Sequence, residues 1–246
     1  MKSLLLACLL PLPALAAETL HIFTWADYLS PSAIESFEQK HGCRVVVDTF
    51  DSNEAMYAKL KAGAQGYDLI FPTSYMIQLL VDEGLLAELD HAQLPNLPNI
   101  DPNVLDKVSD KAMRRGVPYT LAYTILACRQ DKVPAAEQSW KLLERPEIAR
   151  RMTLLDDMRE TIGAALKFLG HSINTRDEAH LAAAQEVLLR WKASAAKFDN
   201  EGYKSGLDSG EFTLVHGYSG DLWQVAQENE KIALIIPQEG VVMGCD

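Results

Sequence analysis

Short apolar runs alternate with helical patterns through the first third of the chain. The runs "LHIFTW", "RVVVDTF" and "YDLIFPT" predict three strands, the last of them buried and uncharged after Asp68. The segments "SPSAIESFEQKHG", "SNEAMYAKLKAG" and "SYMIQLLVDEGLL" predict helices that follow these strands in turn. Strict alternation of strand and helix predicts a mainly parallel sheet with right-handed crossovers.

Residues at the helix ends support this assignment. Ser30 is placed as an N-cap with Pro31 at the first helical position, and Gly42 ends the same helix. Ser52 and Gly63 bracket the second helix in the same way. The helix boundaries are therefore predicted from local chemistry as well as from periodicity.

The rest of the chain predicts a second α/β lobe. Residues 90–115 are rich in Pro, Asn and Asp and predict a surface excursion, and "GVPYTLAYTILACRQDKV" predicts the strand that crosses to the second lobe. Strand and helix patterns then recur in "RMTLLDDMRETIGAALKFLG", "EFTLVHGYSGDLWQVAQENE" and "KIALIIPQEG". We expect lobe 1 to span 18–119 and lobe 2 to span 120–246, each a mainly parallel sheet flanked by helices.

One long segment, "DEAHLAAAQEVLLRWKASA", predicts an amphipathic helix. Its expected buried face consists of Leu181, Ala184, Val187, Leu188 and Trp191. His216 falls in a predicted strand, where it is expected to pack in the core.

The N-terminus predicts export. Lys2 precedes an apolar run, and Ala14-Leu15-Ala16 fits a small-x-small cleavage site, so residues 1–17 are interpreted as a signal peptide. Lipid attachment at Cys8 is a less favoured alternative. No later segment has the roughly 18 apolar residues that a membrane span needs, so we expect a soluble, exported protein.

Composition narrows the class of ligand. The chain has 246 residues, 48% of them hydrophobic, and a net charge of −11. This charge argues against nucleic-acid binding and is compatible with a cationic ligand. The remaining cysteines, Cys43, Cys128 and Cys245, are widely separated and predict neither a disulfide framework nor a metal site. No cofactor is expected.

Large polar and aromatic side chains follow the predicted strands of the first lobe. Trp25 and Tyr28 come after the first strand, and Thr73 and Tyr75 after the third. In parallel sheets, ligands gather at the carboxyl ends of strands. These residues suggest a cleft for a small organic cation.

Several longer segments resemble a known family. "FTWADYLSPSAIESFEQKHGCRV", "DSNEAMYAKLKAGAQGYDLIFPTSY", "LLDDMRE", "GYSGDLW" and "PQEGVVMGCD" occur in the order seen in periplasmic polyamine-binding proteins, the spermidine/putrescine receptors of ABC importers. The resemblance implies a two-lobed solute-binding fold that closes on its ligand by a hinge. It also implies a monomer that delivers its ligand to a membrane-embedded ABC permease.

The same resemblance implies a set of ligand-binding residues. In the first lobe these are Trp25, Asp27, Tyr28, Thr73 and Tyr75. In the second they are Asp157, Glu160, Tyr218, Asp221 and Asp246. The acids would accept ammonium groups, and the aromatic rings would cover the methylenes between them.

Some positions depart from the family pattern. Gly244 stands where relatives carry an aromatic residue, Tyr218 where they commonly carry Trp, and Leu121-Ala122 where they usually carry Trp-Gly. Family members usually continue beyond the position of Asp246, so the C-terminal part of the fold is expected to be missing. A weakened or altered site, or a fragment that binds nothing, is an open alternative.

Other interpretations stay open for the acids. Asp157 and Glu160 could serve mainly to stabilise a helix dipole, and Asp221 could be the N-cap of a helix starting near Leu222. The same fold could bind an amino acid, an opine or a peptide. Asp156, Asp157 and Glu160 could also form the centre of a metal-dependent hydrolase, although no nucleophile elbow, P-loop or HExxH motif is present.

Overall fold

The computed structural model describes residues 17–133 and 137–246. The chain divides into two compact units, the first ending at Pro72 and the second spanning Thr73–Asp246. The signal peptide expected at 1–17 lies, up to Ala16, outside the described residues, as does Cys8. The lobe boundary expected after residue 119 stays a prediction.

The first unit is a small parallel sheet in the order β2-β1-β3. Its elements are β1 (Thr19–Trp25), α1 (Pro31–His41), β2 (Arg44–Phe50), α2 (Asn53–Lys61) and β3 (Leu69–Ile70). The predicted parallel pairing is confirmed. The prediction of a buried third strand is wrong, because β3 is a two-residue edge strand and Leu69 is 46% exposed.

Local capping explains where the first two helices begin and end. The Ser30 hydroxyl accepts from the backbone N–H of Ala33 at 3.2 Å, and Ser52 accepts from Ala55 at the same distance. Gly42 ends α1 with a φ of 64°, a left-handed conformation that glycine adopts without steric cost. The predicted starts of both helices and the predicted end of α1 are confirmed, whereas α2 ends at Lys61 with Ala62 as its C-cap, one residue before the expected Gly63.

The second unit contains a six-stranded sheet flanked by helices. The strands are β4 (Leu121–Arg129), β5 (Met152–Leu154), β6 (Lys197–Phe198), β7 (Leu214–Tyr218), β8 (Ile232–Ile235) and β9 (Val242–Cys245). The helices are α3 (Ser74–Asp82), α4 (Pro102–Leu105), α5 (Met158–Phe168), α6 (Glu178–Ser194), α7 (Tyr203–Ser209) and α8 (Ser219–Glu228). Within the described residues no helix has the length and apolar character needed to cross a bilayer.

This second sheet is mixed rather than mainly parallel. β5 pairs in parallel with β6 and β7, whereas β4 is antiparallel to β7, β8 and β9. β7 and β8 run in the same direction with α8 as their crossover, and β4 lies between them in the opposite direction. The expectation of a mainly parallel sheet is therefore corrected for this unit, because a strand pattern in the sequence carries no information on strand direction.

The core of the second unit packs around buried aromatic rings. Trp140 and Trp191 are fully buried, and the His216 ring lies perpendicular to the Trp140 ring at a centroid distance of 5.3 Å. His216 is thus a packed core residue, as expected. Ala184 on α6 is buried, but Leu181 is 42% exposed because it lies at the start of the helix, before the packed stretch.

The cysteines in the described part of the chain are free. Cys128 and Cys245 are buried and Cys43 is half-buried. The free state of these cysteines agrees with the expectation that they form no disulfide framework.

His216 should make the protein sensitive to acid. Complete burial lowers the pKa of its imidazole from 6.5 to about 3, so below pH 6.5 the unfolded chain binds a proton that the folded chain does not. The free energy of unfolding should therefore fall toward acid by up to about 1.4 kcal/mol per pH unit from this group. His216→Leu should remove that part of the slope in denaturant titrations between pH 4 and 6.5, whereas the exposed control His41→Leu should keep it. Equal slopes in wild type and His216→Leu would contradict this origin.

Candidate functional site

The start of α5 carries the acids that the sequence singled out. β5 ends at Leu154, and the helix begins at Met158, so Asp157 is its N-cap. One oxygen of Asp157, Oδ1, accepts from the backbone N–H of Glu160 at 3.0 Å. Asp157 therefore lies at the start of the helix, and the cap uses only one of its two carboxylate oxygens.

Glu160 is a buried carboxylic acid. The residue is only 8% exposed, and its Oε2 accepts a hydrogen bond from the Thr124 hydroxyl of β4 at 2.7 Å. Burial raises the pKa of Glu160 from 4.5 to about 7, and the negative charges of Asp157 and Asp246 add to the rise. The Thr124 hydrogen bond and the positive charge of Arg159 oppose this rise without cancelling it.

Tyr218 joins this group from the end of β7. Its phenol OH donates a long hydrogen bond of 3.4 Å to Oδ2 of Asp157. Burial, together with the nearby charges of Asp157 and Glu160, raises the pKa of Tyr218, so its phenol stays a neutral donor. An aromatic ring and two acids thus lie close together at the start of α5.

Asp246 is held by backbone pairing just beyond β9. Its N–H donates to Thr120 O at 3.0 Å, and its O accepts from the N–H groups of Tyr119 and Thr120 at 2.6 and 3.2 Å. Its charge contributes to the raised pKa of Glu160. The segment that bears this predicted ammonium acceptor is therefore ordered by the sheet.

The residues after β3 lie in the same unit as these acids. Thr73 is the N-cap residue of α3, and a Cβ on Gly244 would lie 3.4 Å from Cγ2 of Thr73. The guanidinium of Arg159 lies 4.7 Å from the ring centroid of Tyr75, and its Nη2 donates to Oδ1 of Asn174 at 2.7 Å. The face of Tyr75 thus already interacts with a cation from α5.

The remaining predicted residues belong to the first unit. Trp25 ends β1, and its ring centroid lies 4.5 Å from that of Phe50, with an angle of 61° between the ring planes, and 6.4 Å from that of Tyr28. Asp27 between them is exposed and has a φ of 60°. The left-handed turn at Asp27 lies on the short loop between β1 and α1, two residues after Trp25 and one before Tyr28.

Asp221 is bound by groups that the sequence did not single out. α8 begins at Ser219, so Asp221 lies within its first turn and the N-cap interpretation is wrong. Its Oδ2 accepts from the Tyr203 hydroxyl at 2.7 Å and lies 3.6 Å from Nζ of Lys204. Tyr203 was missed because its partner is 18 residues away, beyond the reach of a local sequence pattern.

The hypothesis of a metal centre gains no support. Among residues 17–133 and 137–246, no group of three or more His, Cys, Asp or Glu side chains is arranged to hold a metal ion. Asp156 is exposed, while Asp157 and Glu160 are buried.

Burial of the Glu160 carboxylate should reduce the stability of the ligand-free protein. A folded-state pKa above the unfolded value means that the stability falls as pH rises from 4.5 through about 7. Glu160→Gln should raise the free energy of unfolding at pH 8 by up to about 3 kcal/mol, at about 1.4 kcal/mol per pH unit between the two values. The gain should vanish near pH 4, and the exposed control Glu228→Gln should show no such gain. Destabilisation by Glu160→Gln at pH 8 would contradict the argument.

Comparison with known proteins places the chain in a family. Residues 32–246 match the family model described as bacterial extracellular solute-binding protein. The chain is 37% identical to a putrescine/cadaverine-binding protein of Pseudomonas aeruginosa, over 100% of this chain and 74% of that protein. It is 33% identical to a spermidine/putrescine-binding periplasmic protein of Escherichia coli, over 93% of this chain and 66% of that protein.

A solved structure supports the same assignment. The TpPotD lipoprotein of Treponema pallidum matches with a TM-score of 0.85 and 34% identity, over 93% of this chain and 74% of that one. This match confirms the α/β solute-binding fold expected from the sequence, and the chain spans about two thirds to three quarters of the proteins compared. The protein belongs to the bacterial extracellular solute-binding protein family.

Proposed function

We propose that the protein is a periplasmic receptor that captures a polyamine, putrescine or spermidine, for an ABC importer. The observation that carries the proposal is the buried acidic group of Asp157 and Glu160 beside Tyr218. Similar proteins are named for the binding of putrescine, cadaverine and spermidine. In this proposal the protein is a monomeric receptor rather than an enzyme, is exported by its signal peptide, and closes on its ligand before it meets the permease.

Electrostatics favour a cationic ligand. Glu160 has lost hydration through burial, and two further acids raise its pKa. An ammonium group would restore favourable interactions to all of them through charge-assisted hydrogen bonds worth about 1.5–3 kcal/mol each. An anion would add to the repulsion.

The other proposed ligand-binding residues complete the recognition of a polyamine. Asp246 would accept a further ammonium contact, as would Asp27, and the Thr73 hydroxyl would hydrogen-bond to the ligand. The aromatic rings would cover the methylenes and add about 0.5–2 kcal/mol per cation–π contact; these rings are Trp25, Tyr28, Tyr75 and Tyr218. Micromolar affinity needs about 8 kcal/mol, so several of these contacts must act together.

Replacing Asp157 by Asn should weaken polyamine binding. Asn keeps the helix cap, because its amide oxygen still accepts from the Glu160 N–H, but it removes the charge. We expect the affinity for putrescine or spermidine in isothermal titration calorimetry to fall by about tenfold or more, from loss of a charge-assisted contact. The neighbouring exposed Asp156→Asn is the matched control and should bind like the wild type.

Two outcomes would count against these assignments. Unchanged affinity in Asp157→Asn would remove Asp157 from the site. A wild-type protein that binds no polyamine at millimolar concentration would refute the proposed function itself.

Polyamine affinity should rise with pH across neutrality. The cation binds the ionised form of Glu160, whose pKa is about 7 in the ligand-free protein, whereas alkylammonium groups stay charged in this range. Below pH 7 a proton must leave before binding, so the dissociation constant should increase toward a limit of about tenfold per pH unit. Titrations between pH 6 and 8 should show this slope in the wild type, and Glu160→Gln should bind weakly with a flat profile. A flat wild-type profile would contradict the role of Glu160.

A further inference from the structure

We infer that Tyr203 positions the aromatic residue Tyr218, and that Asp221 acts through Tyr203 rather than as an ammonium acceptor. This inference rests on the proposed function. It changes the role that the sequence resemblance implied for Asp221, and it adds Tyr203, which the resemblance did not indicate.

A single buried hydroxyl links the two residues. Tyr203 is the first residue of α7 and is 0% exposed. Its OH donates to Oδ2 of Asp221 at 2.7 Å and accepts from the backbone N–H of Tyr218 at 3.2 Å. A phenol OH has one proton to donate and lone pairs to accept, so both bonds form at the same time.

The packing of the Tyr203 ring depends on a glycine in β7. A Cβ on Gly217 would lie 2.4 Å from Cε2 of Tyr203, closer than any real contact. The absence of a side chain at Gly217 therefore lets the ring lie directly against the strand that ends at Tyr218. The ring position and the hydrogen bond together determine where this strand end lies.

The effect of this arrangement reaches the acids at the start of α5. Tyr218, held through its backbone N–H, directs its own OH to Asp157 at 3.4 Å. Hydrogen bonds thus connect Asp221 to Tyr203 and Tyr203 to the backbone of Tyr218, and the side chain of Tyr218 carries the connection on to Asp157. A substitution at Tyr203 should therefore change the position of the Tyr218 side chain and, with it, its contact with the ligand.

The alternative, direct contact between Asp221 and an ammonium group, has a cost. An ammonium would compete for Oδ2 with the Tyr203 hydroxyl, and with Lys204, whose Nζ lies 3.6 Å away. Removing the Tyr203 hydroxyl would then free Asp221 and improve binding. Under the positioning role, the same change weakens binding, so the two hypotheses predict opposite signs.

The experiment compares putrescine affinity by calorimetry in Tyr203→Phe, Asp221→Ala and Asp221→Asn. We expect Tyr203→Phe and Asp221→Ala each to weaken binding by about two- to tenfold, from removal or weakening of the neutral hydrogen bond between the Tyr218 N–H and the Tyr203 hydroxyl. Asp221→Asn should stay within about twofold of the wild type, because its amide oxygen still accepts from Tyr203. Tyr67→Phe is the matched control, because it removes a similar tyrosine–aspartate bond, from Tyr67 OH to Asp48, in the first unit.

Several results would overturn the inference. One is a tenfold or greater loss of putrescine affinity in Asp221→Asn together with unchanged or tighter binding in Tyr203→Phe. This result would mean that Asp221 contacts the ammonium group directly. Another is a lowered melting temperature in Tyr203→Phe with unchanged affinity, which would make Tyr203 purely structural. If Tyr203→Phe does not fold, equal losses in Asp221→Ala and Asp221→Asn would overturn the inference. Failure of the wild type to bind putrescine would instead refute the proposed function on which the inference rests.

Discussion

Glu160 lies buried beside Asp157 at the start of α5, and the lost hydration of its carboxylate is the constraint on which the candidate site depends. The helix N-terminus and the Thr124 hydroxyl stabilise negative charge here. Even so, the pKa of Glu160 is raised to about 7, because burial and the neighbouring acids outweigh them. A buried acid with a raised pKa is typical of a functional site, because packing alone would favour an apolar residue at such a position.

The sheet of the second unit explains how these groups come together. β4 supplies Thr124, β7 ends at Tyr218, β5 leads to the helix that Asp157 caps, and Asp246 follows β9. These strands are separated in sequence but are joined through β4 and β7 in one sheet. The mixed strand directions therefore matter for function: with β4 antiparallel to β7 and β9, Thr124 pairs with both Tyr218 and Val242.

Local signals in the sequence were sufficient for much of this structure. Ser30, Ser52 and Gly42 act within one turn of their own helix, so their roles could be predicted without knowledge of the fold. The helix that follows "LLDD" could also be predicted from its local sequence. The convergence of Tyr218 on Asp157 could be predicted only through the family resemblance, because 61 residues separate them.

The features that sequence could not predict depend on tertiary context. The exposure of Leu69 follows from the edge position of β3, which its apolar neighbours do not indicate. Asp is a residue type favoured at helix N-caps, but α8 starts at Ser219, two residues before Asp221. Its partner Tyr203 lies in the segment "EGYKSG", which has no apolar periodicity and whose role depends on Gly217 in another element.

The central claim is that a cation takes the place of the hydration that Glu160 loses on folding. It is tested most directly by following the carboxyl ¹³C resonance of Glu160 during pH titrations with and without saturating putrescine. The account predicts a midpoint near pH 7 in the free protein and a midpoint well below its ordinary range when putrescine is bound. A midpoint near 4.5 in the free protein, or one that putrescine leaves unchanged, would contradict it.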